Sequence, residues 1–285
     1  MDVDARKPLG ILQNEWSTCQ RCPLGERRLN VGAHFVPGVG YPRSVMLIGD
    51  GPNEESEQIG APFVGRSGGI LRAILARLGL KEYYLTNLVA CRSCVPQTNA
   101  SGEPMQRRVG GVMTPVYKDE TPIPAHIAAC RARLNEEIYL VDPTVIVGLG
   151  PKVCEALTGR AANLARDNGE ARPISIPGAS RVAELTDKGA WLRKVKGQWI
   201  QPVARSEVRY HFVPTYHPLD VERVMDDMSP NSTFNKFIVA LRTAVQTHDA
   251  YLEGAYGMTP ANRGQATDLD LQHVAQQEAQ THEEA

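Results

Sequence analysis

Four short apolar runs recur along this chain, and each has the length and composition of a strand covered on both faces. They are Ser44 to Gly49, Tyr84 to Ala90, Thr144 to Gly148 and Val208 to Val213. Runs of this kind, bounded by Gly, Pro, Asn or Asp, read as buried strands rather than half-exposed ones. Helical patterns lie between them. Ile70, Leu71, Ile74, Leu75 and Leu78 share one helix face, with Ser67 as candidate N-cap and Gly79 as the stop. Pro124 to Leu140 reads as a helix with proline near its start, Lys152 to Leu157 as a short one, and residues 233–246 as the last. Residues 5–18 form one short helix before Cys19. This alternation implies an α/β fold, a three-layer sandwich around a central, mostly parallel sheet. Sites in such folds gather at the carboxyl ends of the strands. Three of these strands end in polar loops: Asp50 to Glu55, Asn87 with Cys91, and Pro214-Thr-Tyr-His217-Pro218.

Two stretches do not fit the alternation. Residues 93–122 are rich in Gly, Pro, Ser, Thr and Gln and read as a long loop, functional or disordered. Residues 160–206 read as irregular and polar, with a basic segment from Leu192 to Trp199. We expect one domain over residues 1–247, with 93–122 as an insertion, and an acidic, disordered tail at 257–285. Net charge is −1, but residues 258–285 carry −4 of it, leaving a body at +3. A mildly basic body with an acidic tail is compatible with DNA contact. No stretch reaches the ~20 apolar residues of a spanning helix, and the opening Met1-Asp-Val-Asp-Ala-Arg-Lys lacks the apolar core of a secretory signal. We therefore expect a cytoplasmic protein without membrane contact, and a monomer.

The six cysteines stand at 19, 22, 91, 94, 130 and 154. In a cytosolic chain of this size they point to metal or catalysis before disulfides. Spacing alone pairs Cys19 with Cys22 and Cys91 with Cys94, which suits a four-cysteine zinc site or an iron–sulfur cluster.

Six motifs in order resemble one family. They are Cys19-Gln-Arg-Cys22-Pro-Leu-Gly, Gly49-Asp-Gly-Pro-Asn-Glu-Glu55, Ala61-Pro-Phe-Val-Gly-Arg-Ser-Gly68, Thr86-Asn87, Ala129-Cys130-Arg131 and Pro214-Thr-Tyr-His-Pro218. Together, over about residues 10–245, they are similar to the iron–sulfur (family 4) uracil-DNA glycosylases. The resemblance implies an α/β fold, removal of uracil from DNA, and a 4Fe–4S cluster on Cys19, Cys22, Cys91 and Cys130, with Cys94 where the family has no ligand. Cys154 then reads as a buried small hydrophobe.

It also implies roles. Phe63 stacks on the flipped base, and the Asn87 amide donates to O4 and accepts from N3–H of uracil. Backbone groups of the turn at Gly51 and Pro52 contact the base or a phosphate. His217 stabilises charge at uracil O2, and Asp50 faces the developing positive sugar. Arg66, Arg107, Arg108, Arg193, Lys194 and Lys196 are candidate DNA contacts. Leu219 to Arg223 lies where the family pushes a loop into the duplex. This sequence departs from the family in three places. Asp50 replaces a usual Glu, Asn53 a usual Gly, and the Cys91-to-Cys130 segment is about two dozen residues longer. That segment contains Gln106-Arg-Arg-Val-Gly-Gly111, similar to an Arg-Arg-Ile-His loop of a related, covalently trapping subgroup. Gly110 stands at the histidine position, so no covalent trapping is expected. The alternatives are an enzyme of the same fold acting on another deaminated or modified base, and a binding protein without catalysis. A zinc protein is a further one.

Overall fold

The computed structural model describes residues 6–177, 193–195, 198–200, 207–227, 229–256 and 276. In chain order, α1 (Arg6–Trp16) and α2 (Pro23–Asn30) precede β1 (Val39–Gly40) and β2 (Val45–Gly49). Then come α3 (Glu54–Ile59), α4 (Arg66–Arg77) and β3 (Tyr83–Asn87). The insertion holds β4 (Cys94–Pro96), β5 (Gln106–Val109), β6 (Val112–Pro115) and β7 (Tyr117–Asp119). Next are α5 (Pro124–Val141), β8 (Val145–Leu149), α6 (Pro151–Thr158), α7 (Leu164–Asp167) and β9 (Arg172–Pro177). Finally come β10 (Arg193–Val195), β11 (Gln198–Ile200), β12 (Glu207–Thr215), α8 (Pro218–Glu222) and α9 (Thr233–Tyr256).

The central sheet has the order β1-β3-β2-β8-β12-β9. Its four inner strands pair parallel, while β1 and β9 close the edges antiparallel. Side chains alternate between two cores. Val45 and Leu47 of β2 join Val145 and Val147 of β8 under α4 and α9, while Met46 and Ile48 join Ile146 and Phe212 against α1, α5 and α6. Both faces of each inner strand are therefore buried, which is why these strands read as unbroken apolar runs. The expected three-layer α/β arrangement is what the chain adopts.

Three expectations need correction. The helix over 70–78 starts at Arg66 with Gly65 as its N-cap, so Ser67 lies inside the first turn. Residues 160–206 contain β9, which runs antiparallel to β12. The insertion at 93–122 is not a bare loop: β4 pairs with β7 and β5 with β6. Gly110 and Gly111 join β5 to β6 with φ of +55° and +87°. Positive φ at both central residues of a two-residue hairpin demands glycine or its few substitutes. Most of the tail at 257–285 lies outside the described residues, as do Lys196 and the side chains of Arg193 and Lys194. Among the described residues no helix is long and apolar enough to cross a membrane.

Candidate functional site

The parallel register sets the site. Gly49 of β2 lies opposite Asn87 of β3. Leu88 and Val89 N–H then donate to the carbonyls of Gly49 and Asp50, so the two loops leave the sheet side by side. Gly150 N–H donates to the Thr215 carbonyl, tying the end of β8 to that of β12 two residues before His217. Asp50, Asn87 and His217 thus come from the carboxyl ends of three inner strands, at one end of the sheet.

Gly49 is the floor. A Cβ built there would lie 2.5 Å from Phe63 Cζ and 2.6 Å from Asn87 Oδ1. The phenyl ring and the amide therefore converge over a residue with no side chain. Asn87 is buried, 4% exposed. Phe63 has φ of +56°, a left-handed conformation rare for a bulky residue and common at ligand clamps. Its backbone presses on the first turn of α4. A Cβ at Gly68 would sit 1.9 Å from the Phe63 carbonyl oxygen. Arg72 further along α4 donates to that same oxygen. The glycines of the 61–68 motif are thus what lets Phe63 turn over Gly49. Asn53 has φ of −87° and caps α3, its Oδ1 accepting from Ser56 N–H at 2.9 Å. A side chain replaces the usual glycine there without strain. Pro52 is buried, and Gly51 faces Val89, just after β3, and Pro122, two residues before α5.

His217 caps α8, and Leu219 N–H donates to its Nδ1 at 3.2 Å. A nitrogen that accepts carries no proton, so the neutral ring holds its proton on Nε2. Burial lowers the ring's pKa below the usual 6.5, with Asp220 pulling it up and Arg223 pushing it down. Burial pushes the Asp50 carboxyl the other way, up from 3.8 to about 6, with Lys152 lowering it and Asp220 raising it. Asp50 Oδ1 is buried without a hydrogen-bond partner. Asp220 acts on both groups, raising the pKa of Asp50 and of His217. Lys152 and Asp220 were not among the residues singled out from the sequence, although both follow strand ends.

The basic candidates divide. Arg66 pairs with Glu222 at 3.2 Å, and Arg223 with Asp220 at 3.6 Å, so both frame α8. Leu219 on α8 is 41% exposed. Arg107 and Arg108 are exposed on β5, and Arg107 pairs with Glu54 at the start of α3, beside the Asp50 loop.

On the opposite side of the sheet, Cys19, Cys22, Cys91 and Cys130 line one cavity with Trp16, Phe35 and Val89. Cys94 lies elsewhere, opposite Asp119 in the β4–β7 ribbon. Gly25 allows α2 to close on this cavity, since a Cβ there would meet the Cys19 carbonyl oxygen at 2.4 Å. Burial raises the Cys91 thiol to about 11, opposed first by Arg28. Four soft sulfur donors around one cavity fit a thiolate-bound metal group, whose positive charge would offset that burial. Among the described residues no three His, Cys, Asp or Glu side chains are grouped for a single metal ion. Cys154 is buried away from these four, as expected.

A family model for the uracil DNA glycosylase superfamily matches residues 39–242, and the chain belongs to that superfamily. Within it, the similarity is to the type-4 enzymes. The type-4 uracil-DNA glycosylase of Thermotoga maritima is 30% identical over 176 residues, covering 60% of this chain and 77% of the relative. That of Pyrobaculum aerophilum is 31% identical over 166 residues, covering 56% and 69%. That of Sulfurisphaera tokodaii is 32% identical over 143 residues, covering 49% of this chain and 53% of the relative.

Proposed function

We propose that this chain is a monofunctional uracil-DNA glycosylase: it hydrolyses the N-glycosidic bond of deoxyuridine in DNA and leaves an abasic site. The observation that carries this reading is the convergence of Phe63 and Asn87 over Gly49, beside the buried Asp50 carboxyl. A flat ring, an amide with one donor and one acceptor, and no side chain beneath them form a slot for a flipped pyrimidine.

The chemistry follows from the flanking groups. The C1′–N1 bond breaks and its electron pair leaves with uracil, whose charge spreads to O2. His217 Nε2–H donates to that oxygen. The sugar becomes an oxocarbenium ion, which the ionised Asp50 stabilises. Water adds to C1′ and loses its proton to Asp50 or to solvent. Leu219 on α8 occupies the space left in the duplex, and Arg66, Arg107, Arg108 and Arg223 meet phosphates.

Cys19, Cys22, Cys91 and Cys130 would hold a 4Fe–4S cluster. When bound, it would cross-link the segments before α2, after β3 and within α5, and it supplies no step of the hydrolysis.

The direct test is an oligonucleotide with one uracil, treated with iron-replete protein and then alkali. A cut at the uracil is expected. An intact strand, with turnover on hypoxanthine or hydroxymethyluracil instead, would move the activity to another base. Tight binding without an abasic product would make this a binding protein.

Gly49→Ala is expected to slow uracil excision by about 100-fold, because its methyl group displaces Phe63 or Asn87 on the order of 1 Å. A single-turnover rate close to wild type would remove Gly49 from the pocket. Arg107→Ala with Arg108→Ala is expected to weaken DNA binding and to flatten its salt dependence by up to about two units of log–log slope. An unchanged slope would place the β5–β6 hairpin away from the DNA.

A further inference from the structure

Arg133 lies one turn beyond Cys130 on α5 and is 3% exposed. Its guanidinium reaches the end of β3. Nη1 donates to Glu137 Oε2 at 2.8 Å and to Thr86 Oγ1 at 3.3 Å. Nη2 donates to the main-chain carbonyls of Asn87 and Leu88, the latter at 3.2 Å. Glu137 fixes the arginine in turn. Its carboxylate also accepts from Tyr84 OH at 3.0 Å, Thr86 Oγ1 at 2.7 Å and Gly38 N–H at 3.1 Å. Four of the five guanidinium donors are therefore engaged with β3 and Glu137. The fifth, Nε, makes no hydrogen bond to nitrogen or oxygen, and the guanidinium faces the Cys130 side chain in the wall of the four-cysteine cavity.

That arrangement has a direction. A buried N–H without a nitrogen or oxygen partner is unfavourable unless something in the site accepts from it, and in that wall the guanidinium faces the Cys130 sulfur. On its other side the same planar group grips two consecutive carbonyls, those of the uracil-reading residue and its neighbour. Two carbonyls held in one fork fix the Asn87–Leu88 and Leu88–Val89 peptide planes, and with β3 paired to β2 up to Asn87 they set the direction in which the Asn87 side chain leaves the backbone.

We infer that Arg133 is a positioning residue that braces the base-reading end of β3 against the four-cysteine site. It touches neither substrate nor reacting atoms and acts through Asn87. The inference rests on the proposed uracil excision and adds to it the element that aims the amide. Lysine cannot replace the arginine here, because a single ammonium does not span the Asn87 and Leu88 carbonyls while facing Glu137.

The test compares wild type, Arg133→Lys, Asn87→Ala and the double variant Asn87→Ala/Arg133→Lys, all iron-replete and checked for iron content and melting temperature. Two readouts are used: kcat and KM on uracil-containing DNA, and equilibrium dialysis of radiolabelled free uracil. Arg133→Lys is expected to load iron, to lose about 10-fold in kcat with little change in KM, and to bind free uracil about 10-fold more weakly. In the Asn87→Ala background the same change should add nothing, since it acts through a side chain already removed. Should Arg133→Lys not fold, Arg133→Gln/Glu137→Gln removes both charges of the buried pair and must show the same loss of uracil binding. Wild-type uracil binding by the folded variant, or losses that multiply with Asn87→Ala, would overturn the inference. Wild-type protein inert on uracil DNA would overturn the proposed function instead.

Discussion

His217→Ala is expected to lower the single-turnover rate of uracil excision by about 10²- to 10³-fold, the usual loss when a donor to a developing anion is removed. In the proposed mechanism the donor is Nε2. Leu219 N–H occupies Nδ1, so the proton of the neutral ring sits on Nε2. Burial keeps the ring's pKa below 6.5, so the ring is neutral at pH 7. A neutral imidazole strengthens its hydrogen bond as O2 gains charge, and it does so without carrying a full cation into the pocket. Protonating Nδ1 would break the bond to Leu219 and release the start of α8. The fold should survive the substitution, because losing one cap costs about 1 kcal/mol. His217→Asn restores an acceptor for the Leu219 N–H, so it should recover the helix start but only part of the rate. A His217→Ala enzyme within about twofold of wild type would take His217 out of the reaction.

Much of this site is legible in the sequence because its groups sit where strands end. Asp50 and His217 follow buried apolar runs and Asn87 lies within one, at the end of β3, and such runs are readable when both faces of a strand are covered. β9 escapes the same reading. Only Ile174 and Ile176 face the core, and Pro173 and Pro177 interrupt the pattern. Proline suits an edge strand and hides it from a search for apolar runs. The insertion escapes for a related reason: among the described side chains of β5 and β6 none is buried, so no period of two develops, and only the Gly110-Gly111 pair marks their hairpin. The first turn of α4 is misplaced because Ser67 has the chemistry of a cap, while the position goes to Gly65, where a side chain would strike Glu55 Oε2 at 2.4 Å. Arg133, Lys152 and Asp220 could not be assigned from spacing, since their importance lies in partners that are distant in the chain. The choice of Cys130 over Cys94 depends on the fold in the same way, because β4 carries Cys94 off into the ribbon with β7.

Asp50→Asn is expected to give two effects of opposite sign. Excision should fall by about 100-fold or more, since the charge facing the cationic sugar is lost. Stability should rise above neutral pH. The Asp50 carboxyl is raised from 3.8 to about 6, chiefly by burial, so folding favours its protonated form. The stabilisation from that protonated form is fully present below pH 3.8. It is lost as pH rises through about 6, where the native carboxylate must carry its charge with Oδ1 buried and unpartnered. A shift of about two units corresponds to about 3 kcal/mol. Asparagine does not titrate, so the variant should match wild type near pH 4 and exceed it by up to that amount at pH 8. Thermal melts at the two pH values read this directly, and equal melting temperatures at pH 8 would show that the carboxylate is not strained in the folded state. The rate should carry the same signature: in wild type, excision rises as pH passes through about 6 and Asp50 ionises, and in Asp50→Asn that limb disappears. Lys152 supplies the control. Its ammonium holds the Asp50 pKa down, so Lys152→Met should move the acid limb to higher pH while leaving its shape intact. A limb that stays in place would mean that the ionisation seen in the rate belongs to another group. A buried carboxylate kept charged at a cost to the fold is what a site built for a cationic transition state requires, because the same low-dielectric surroundings that penalise the charge strengthen its pull on the sugar.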